Sequence, residues 1–305
     1  MDTISLPPEA LPAGLSSRPL VAGDAPAVFE VMAAVELADL GVVDIEEADI
    51  VADWQRPSFD VTTSTIGVFD GDRLVGYAEV SGHDRGDAAV HPDVQGRGIG
   101  TALAGWMQTR VRTRGGHRIG MPVPEGSSGD RLLAALGYHV RWTSWILKLP
   151  RERTIVDRAL PEGYVVRQAT EADRRAVWTV IEDAFLEWSD RERQSFEDCA
   201  AGMWLRPGFE PWNIRVVTDA GGEVVGTAFV VKAGEEAWVD RLAVRRDQRH
   251  RGLAQVLLVD SFAVGREHGC QASCLSTDSR TGALSLYEKV GMEVTGVWVN
   301  RAIEV

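Results

Sequence analysis

The chain has 305 residues, 45% of them hydrophobic and 25% charged, with a formal net charge of −13. That is the composition of a globular protein with room for about two domains. The acidic balance argues against nucleic acid or an anionic membrane as main partner; it reads first as a solvated acidic surface and only mildly favours cationic ligands. No apolar run approaches the roughly 18 residues of a membrane span. The stretch from Met1 to Leu20 lacks the apolar core of a signal peptide. Cys199, Cys270 and Cys274 have no metal-type spacing, so reduced thiols, no metal and a cytoplasmic setting are expected.

In chain order, Asp24-Ala-Pro opens a helix that runs from Ala27 to Leu40 and stops at Gly41. An acidic helix follows over Glu46–Trp54. Ser64–Phe69 and Leu74–Val80 read as strands around Asp70-Gly71-Asp72. Ala88–Val90 is a short strand, Gly98–Arg114 a helix stopped by Gly115-Gly116, and Leu132–Leu136 a short helix. Tyr138–Leu149 is strand-like, whereas Met121-Pro-Val-Pro-Glu-Gly-Ser-Ser reads as a proline loop in place of a strand end. A Pro-, Arg- and Glu-rich linker comes next. The order then repeats: helices over Glu171–Trp188 and Phe196–Leu205, strands over Arg215–Thr218, Val224–Val231 and Ala237–Val244, a helix over Gly252–His268, a strand over Gln271–Ser276, a helix over Gly282–Val290 and a last strand through Ile303. Strands alternating with helices in this order predict α/β domains with mixed sheets.

The repetition extends to a glycine-rich turn. Val90-His-Pro-Asp-Val-Gln-Gly-Arg-Gly-Ile-Gly100 is matched by Val244-Arg-Arg-Asp-Gln-Arg-His-Arg-Gly-Leu-Ala254. Gly98 maps onto Gly252 and Gly137 onto Gly291 at one offset, since 252 − 98 and 291 − 137 both equal 154. This is an internal duplication. A strand, such a turn and a helix converge free N–H groups at the positive end of the helix dipole, with no Cβ to keep a ligand off. This is a nest for pyrophosphate, to which Arg97, Arg249 and Arg251 can add charge-assisted bonds. The alternative is a tight turn with no ligand.

The Val-x-Pro-x-x-Gln-Gly-Arg-Gly-Ile-Gly segment resembles the acetyl-CoA signature of the GNAT acetyltransferase superfamily. Gly282-Ala-Leu-Ser-Leu-Tyr-Glu-Lys-Val-Gly-Met292 resembles its second signature, in which a tyrosine precedes a glycine by four residues. The resemblance spans both halves, a tandem layout that mycothiol synthase and several antibiotic-modifying transferases share. It implies two α/β (α+β) domains, 1–150 and 163–305 around a 151–162 linker, each with a mixed, mostly antiparallel sheet flanked by helices. It further implies acetyl-CoA as cofactor and a small-molecule amine as acceptor, with a cysteinyl pseudodisaccharide as one alternative and a non-catalytic acyl-CoA-binding module as another. The cofactor residues it implies are Val90, Gln95, Gly96, Arg97, Gly98, Ile99, Gly100 and Thr101 in the first half. In the second they are Leu242, Ala243, Val244, Arg249, His250, Arg251, Gly252, Leu253 and Ala254.

The halves differ at the reacting end. Tyr287 maps to Leu133 and Asp240 to Gly86 at the same offset. Turnover is therefore expected in the second half, with the first as a binding half or one kept for packing. Tyr287 is the candidate general acid, or else a core aromatic. Four extra residues between Gly226 and Val244, relative to Gly76 and Val90, lengthen the second motif strand. Trp238, Asp240, Leu242 and Val244 would then share one face. There Asp240 is the candidate base, its pKa raised by desolvation, or else it pairs with Arg241 or Arg245 or faces solvent. Phe185, Glu187, Trp188, Asp190, Phe196, Trp204, Phe209 and Trp212 are expected partly in the core and partly around an acceptor pocket. His91, His250 and His268 read as phosphate-side or surface groups.

Overall fold

A computed structural model describes residues 5–154 and 156–305. The chain divides into two compact units, Met1–Thr143 with Val297–Val305, and Ser144–Gly296.

In the first unit β1 (Leu15–Arg18) precedes α1 (Ala25–Leu40), α2 (Glu47–Trp54) and the short α3 (Val61–Ser64). Then come β2 (Thr65–Asp70), β3 (Arg73–Ser81), β4 (Arg85–Val90), α4 (Ile99–Thr113), β5 (Arg118–Pro124), α5 (Ser128–Ala135) and β6 (His139–Pro150). Pro26 stands in the first turn of α1, and Gly41 ends the helix with φ of 77°. Asp24 does not cap α1 through its side chain; its carboxylate takes the Arg18 guanidinium and the Val21 N–H instead. β1 to β4 form an antiparallel meander. α4 covers one sheet face around Ile66, Val80, Leu103 and Met107. α1 and α2 cover the other around Val28, Val31, Trp54 and Tyr77.

In the second unit β7 (Val165–Gln168) precedes α6 (Arg174–Phe185), α7 (Phe196–Gly202), β8 (Ile214–Thr218), β9 (Val224–Ala233) and β10 (Glu236–Val244). α8 (Leu253–Glu267), β11 (Ala272–Asp278), α9 (Leu284–Lys289) and β12 (Glu293–Glu304) complete the chain. β7 to β10 repeat the meander. α8 packs on one face with Val225, Leu257 and Phe262, and α6 with α7 on the other with Ile181, Val216 and Phe229. The duplication is visible in register. Gly76 pairs with Val90 and Gly226 with Val244, while Gly137 and Gly291 both adopt left-handed angles, 88° and 91°.

Two expectations change. The expected division at 1–150 and 163–305 becomes one at 143/144 and 296/297. Residues 144–150 of β6 pair with β11 inside the second unit, and residues 298–304 of β12 pair with β5 inside the first. Each repeat surrenders its last strand to the other, and local sequence names a strand but not its partner. Met121–Pro124 is strand, not loop. The N–H groups of Gly120 and Glu125 go to opposite sides of β5, to Asp84 O and Val297 O. By alternation the missing donors of Pro122 and Pro124 lie on the β4 side, where β4 has diverged and offers no acceptor, so these prolines cost β5 no ladder bonds.

Candidate active site

In each unit two parallel strands part and open a cleft. β4 meets β5 at Arg85↔Gly120, and β10 meets β11 over Glu236–Trp238 and Ala272–Cys274. Toward Val90 and Val244 the pairs diverge, leaving strand edges free. α4 and α8 begin at the head of these clefts.

The glycine turns hold the geometry that anion binding needs. Gly96 and Gly98 adopt φ of 74° and 92°, and a Cβ on either would meet nothing within 4 Å. In the second unit His250 and Gly252 hold 64° and 82°. Gly98 and Gly252 are the N-caps of α4 and α8, so the first-turn N–H groups lack helical acceptors and face outward. Each turn is braced in the same way. Gln95 Nε2 donates to Val90 O at 3.0 Å, and Arg249 Nε donates to Val244 O at 3.2 Å. Arg158, from the expected linker, covers the second turn: a Cβ on Gly252 would stand 2.5 Å from its Nε. A guanidinium over a helix N-terminus deepens the positive potential there. The open glycine cradle of the first unit, the orphan donors of both turns and the parted strands fit a nucleotide pyrophosphate with an extended arm, while in the second unit the Arg158 side chain lies over Gly252.

The implied cofactor residues fall into distinct roles. Ile99 and Leu253 are buried under their helices, Val244 is buried on the α8 face and Ala243 on the α6 face. Val90 and Leu242 pack partly into the α4- and α8-side cores. Gly100 lies against Leu132, Ala254 packs against the α8-side core, and Arg97, Thr101 and Arg251 are exposed at the turns. Arg249 departs from its expected role. Its two Nη groups go to Glu187 at 2.7 and 2.9 Å, so it braces the turn and ties down the end of α6 rather than offering its fork to phosphate.

Tyr287 sits on α9, 9% exposed, beside the end of β11. Burial pushes its pKa up to about 12, an effect that Thr277 beside it partly offsets, so it holds its proton at neutral pH. Asp240 lies where β10 bulges: Val239 pairs with Val230 and Arg241 with Phe229, leaving Asp240 as the extra residue. The bulge overturns the shared-face reading. Ala237, Val239, Leu242 and Val244 face the α8-side core, whereas Trp238 stands opposite Val231, which packs on the α6 side. Asp240 is 51% exposed, with Arg241 at 3.3 Å, so the desolvation expected there is missing. Arg245 pairs with Asp247 and Glu223 instead.

The acid- and aromatic-rich segment is mostly core. Phe196 and Trp204 pack at 6.0 Å on the α6 side, and Trp212 stacks on His268 at 4.1 Å. Trp188 differs, lying under the Arg280 guanidinium at 4.8 Å. With Glu187 on Arg249, the end of α6 is tied both to the turn and to the loop after β11. Of the other histidines, His91 accepts the Asp93 N–H through Nδ1 and reaches Arg73 through Nε2.

The first unit holds a cavity of about 500 Å³ that runs from Gly96 and Gly100 to Glu36 and Asp87. Sequence reasoning missed these two acids, and Glu79 and Tyr77 behind them, because long-range packing brings them together. Alternation along β3 and β4 is the one signal that places Tyr77, Glu79 and Asp87 on one face.

Comparison with known proteins matches this geometry. The family model "Acetyltransferase (GNAT) family" matches residues 32–138 and 174–292. A mycothiol acetyltransferase of Thermobispora bispora is 26% identical over 277 residues, 82% of this chain and 90% of that one. One of Streptomyces coelicolor is 28% identical over 243 residues, covering 73% and 74%. Among solved structures, a GCN5-related N-acetyltransferase from Sphaerobacter thermophilus superposes with TM-score 0.75 at 26% identity, over 96% of both chains. A tandem GNAT protein from the clavulanic acid biosynthesis pathway has the same fold, with TM-score 0.73 at 19% identity. With both repeats matched over most of its length, the chain belongs to the GNAT acetyltransferase family and is an N-acetyltransferase whose acyl donor is acetyl-CoA.

Proposed function

We propose that the protein acetylates a primary amine of a small molecule, with turnover in the second unit and cofactor binding in both. The observation that carries this is Tyr287: a protonated, buried phenol at the open end of β11, where the first unit has Leu133. Bound acetyl-CoA supplies a thioester whose carbonyl the amine attacks directly. The α8 turn, with Arg158 over Gly252, holds the pyrophosphate end. The free edge of β10 near Val244 aligns the extended arm. Tyr287 gives its hydroxyl proton to the departing sulfur. Asp240, or a water it orders, takes the proton that the amine sheds. A solvated carboxylate suits this where the amine is already partly deprotonated. Asp240→Asn tests that step: kcat/KM should fall, and fall less at high pH. An unchanged pH–rate profile in a stably folded variant moves the base elsewhere.

The mycothiol acetyltransferase relatives favour a second, narrower reading of the acceptor, a cysteinyl pseudodisaccharide. Release of free CoA thiol in the presence of a primary-amine panel that includes this compound separates the readings. A rate confined to it supports the narrower reading, whereas turnover of unrelated amines supports a broader acceptor. No release with any amine would point to an acyl-CoA-binding module. The three cysteines are free and buried, which supports a reducing, cytoplasmic setting.

A further inference from the structure

The stretch expected as a linker is part of the second repeat. Ala159-Leu-Pro-Glu-Gly163 matches Ala10-Leu-Pro-Ala-Gly14. Gly163 and Gly14 hold left-handed angles of 83° and 88°. Leu160 packs against the α8-side core as Leu11 does against the α4-side core. The match runs on through a bidentate ion pair, Arg167 on Asp173 and Arg18 on Asp24. All obey one offset, since 163 − 14, 167 − 18 and 173 − 24 each equal 149. At that offset Arg158 stands where the first repeat has Glu9.

Contacts fix this stretch to both ends of α8. Arg266, in the last turn of α8, donates through Nη2 to the carbonyls of Arg153 and Pro150 at 2.8 and 3.3 Å, and Arg153 pairs with Glu293. At the other end the Tyr164 hydroxyl donates to Gln248 Oε1 at 2.6 Å, just ahead of the N-cap Gly252. Between these anchors Arg158 reaches the turn. A Cβ on Gly252 would stand 3.0 Å from its Nη2 and 3.1 Å from its Cζ, so the guanidinium lies against that glycine. A Cβ on Gly98 meets nothing within 4 Å, so the first turn has no such cover. The Asp157 carboxylate accepts the Arg158 main-chain N–H at 2.8 Å. Among the described residues no carboxylate is paired with the Arg158 guanidinium. A cation without a counter-charge is unfavourable at the positive end of a helix dipole. An anion held between the guanidinium and the free N–H groups reverses that sign. The fork of Arg249 is already taken by Glu187.

We propose that Arg158 is a clamp for the second cofactor site. The segment anchored along α8 holds its guanidinium over the turn, where it closes on the pyrophosphate of CoA. The pyrophosphate is the group it meets, because Gly252 is the N-cap at which the free N–H groups of α8 converge. The first repeat has an acid at the matching position and an uncovered turn, so the second site is the tighter of the two. The proposal rests on the reading that both turns bind cofactor.

Calorimetry tests it on the full chain carrying Gly98→Glu, where binding reports the second turn. The ligands are CoA and dephospho-CoA, which keeps the pyrophosphate and lacks the 3′-phosphate. Adding Arg158→Gln should weaken both by the same factor, about 10–100-fold. Arg158 is exposed, so the melting temperature should not change. Arg158→Lys, which keeps the charge, should recover part of the loss. With both turns intact, CoA should fill two sites of unequal affinity, and Arg158→Gln should weaken the tighter one. Unchanged or tighter binding in Arg158→Gln would overturn the proposal. So would a loss for CoA that dephospho-CoA does not share, or a lysine no better than the glutamine. A folded Gly98→Glu chain that binds no CoA would instead overturn the reading that the second turn holds cofactor, and the clamp with it.

Discussion

His250 holds in the second unit the backbone angle that Gly96 holds in the first: φ is 64° and 74°, at positions 154 residues apart. A left-handed angle costs a residue with a Cβ about 1–2 kcal/mol, partly offset because glycine has more freedom to lose on folding. His250→Gly should therefore stabilise the protein by about 0.5–1 kcal/mol. Gly96→His should destabilise it by a similar amount, with no added clash, since a Cβ at Gly96 meets nothing within 4 Å. Thermal unfolding of the two variants checks both signs. A lower melting temperature for His250→Gly would mean that the imidazole makes a contact worth more than the strain.

Both turns keep their left-handed caps, so both units should bind cofactor. Gly98→Glu and Gly252→Glu each place bulk and negative charge where a pyrophosphate would lie. Calorimetry with CoA should give two sites in the wild type and one in each variant. A single site insensitive to Gly98→Glu would refute binding by the first unit.

Glu79 gives the fold a pH dependence. Burial moves its pKa from 4.5 to about 7. Its folded pKa is raised, so the associated stability is fully present below pH 4.5. It is lost as pH rises toward about 7. Asp87 and Glu36 shift in the same direction. Glu79→Gln keeps an acceptor for Trp54 and removes the titration. Denaturant unfolding across this window should show wild-type stability falling by on the order of 3 kcal/mol and a flatter profile for Glu79→Gln. Parallel profiles would show that Glu79 stays ionised in the folded chain.

What could be read from the sequence was what short-range spacing controls. The glycine turns, their helices, the capping glycines Gly41, Gly137 and Gly291, and the lengthened β10 all follow from local pattern and one offset. What lay hidden depends on partners far along the chain. The twelve-residue lengths of β6 and β12 are about twice the usual strand and were the one local sign of the strand exchange. Prolines 122 and 124 looked like loop because their missing donors could be judged harmless only once β4 was known to diverge. The bulge at Asp240 moved Trp238 across the sheet, and no composition rule marks it. Spacing alone marks Arg249 as a phosphate ligand, and only the fold brings Glu187, 62 residues away, onto its guanidinium.

The central claim is that acetyl transfer occurs in the second unit with Tyr287 as the proton donor. Tyr287→Phe removes only the hydroxyl and leaves a ring that fills the same space, so fold and CoA affinity should survive. The direct measurement is single-turnover acetyl transfer by Tyr287→Phe with saturating acetyl-CoA and an accepted amine, beside the wild type. The predicted result is a chemical step slowed about 10²–10⁴-fold with both CoA sites retained. An undiminished rate would contradict the account and return the search for the reacting end to the other cleft.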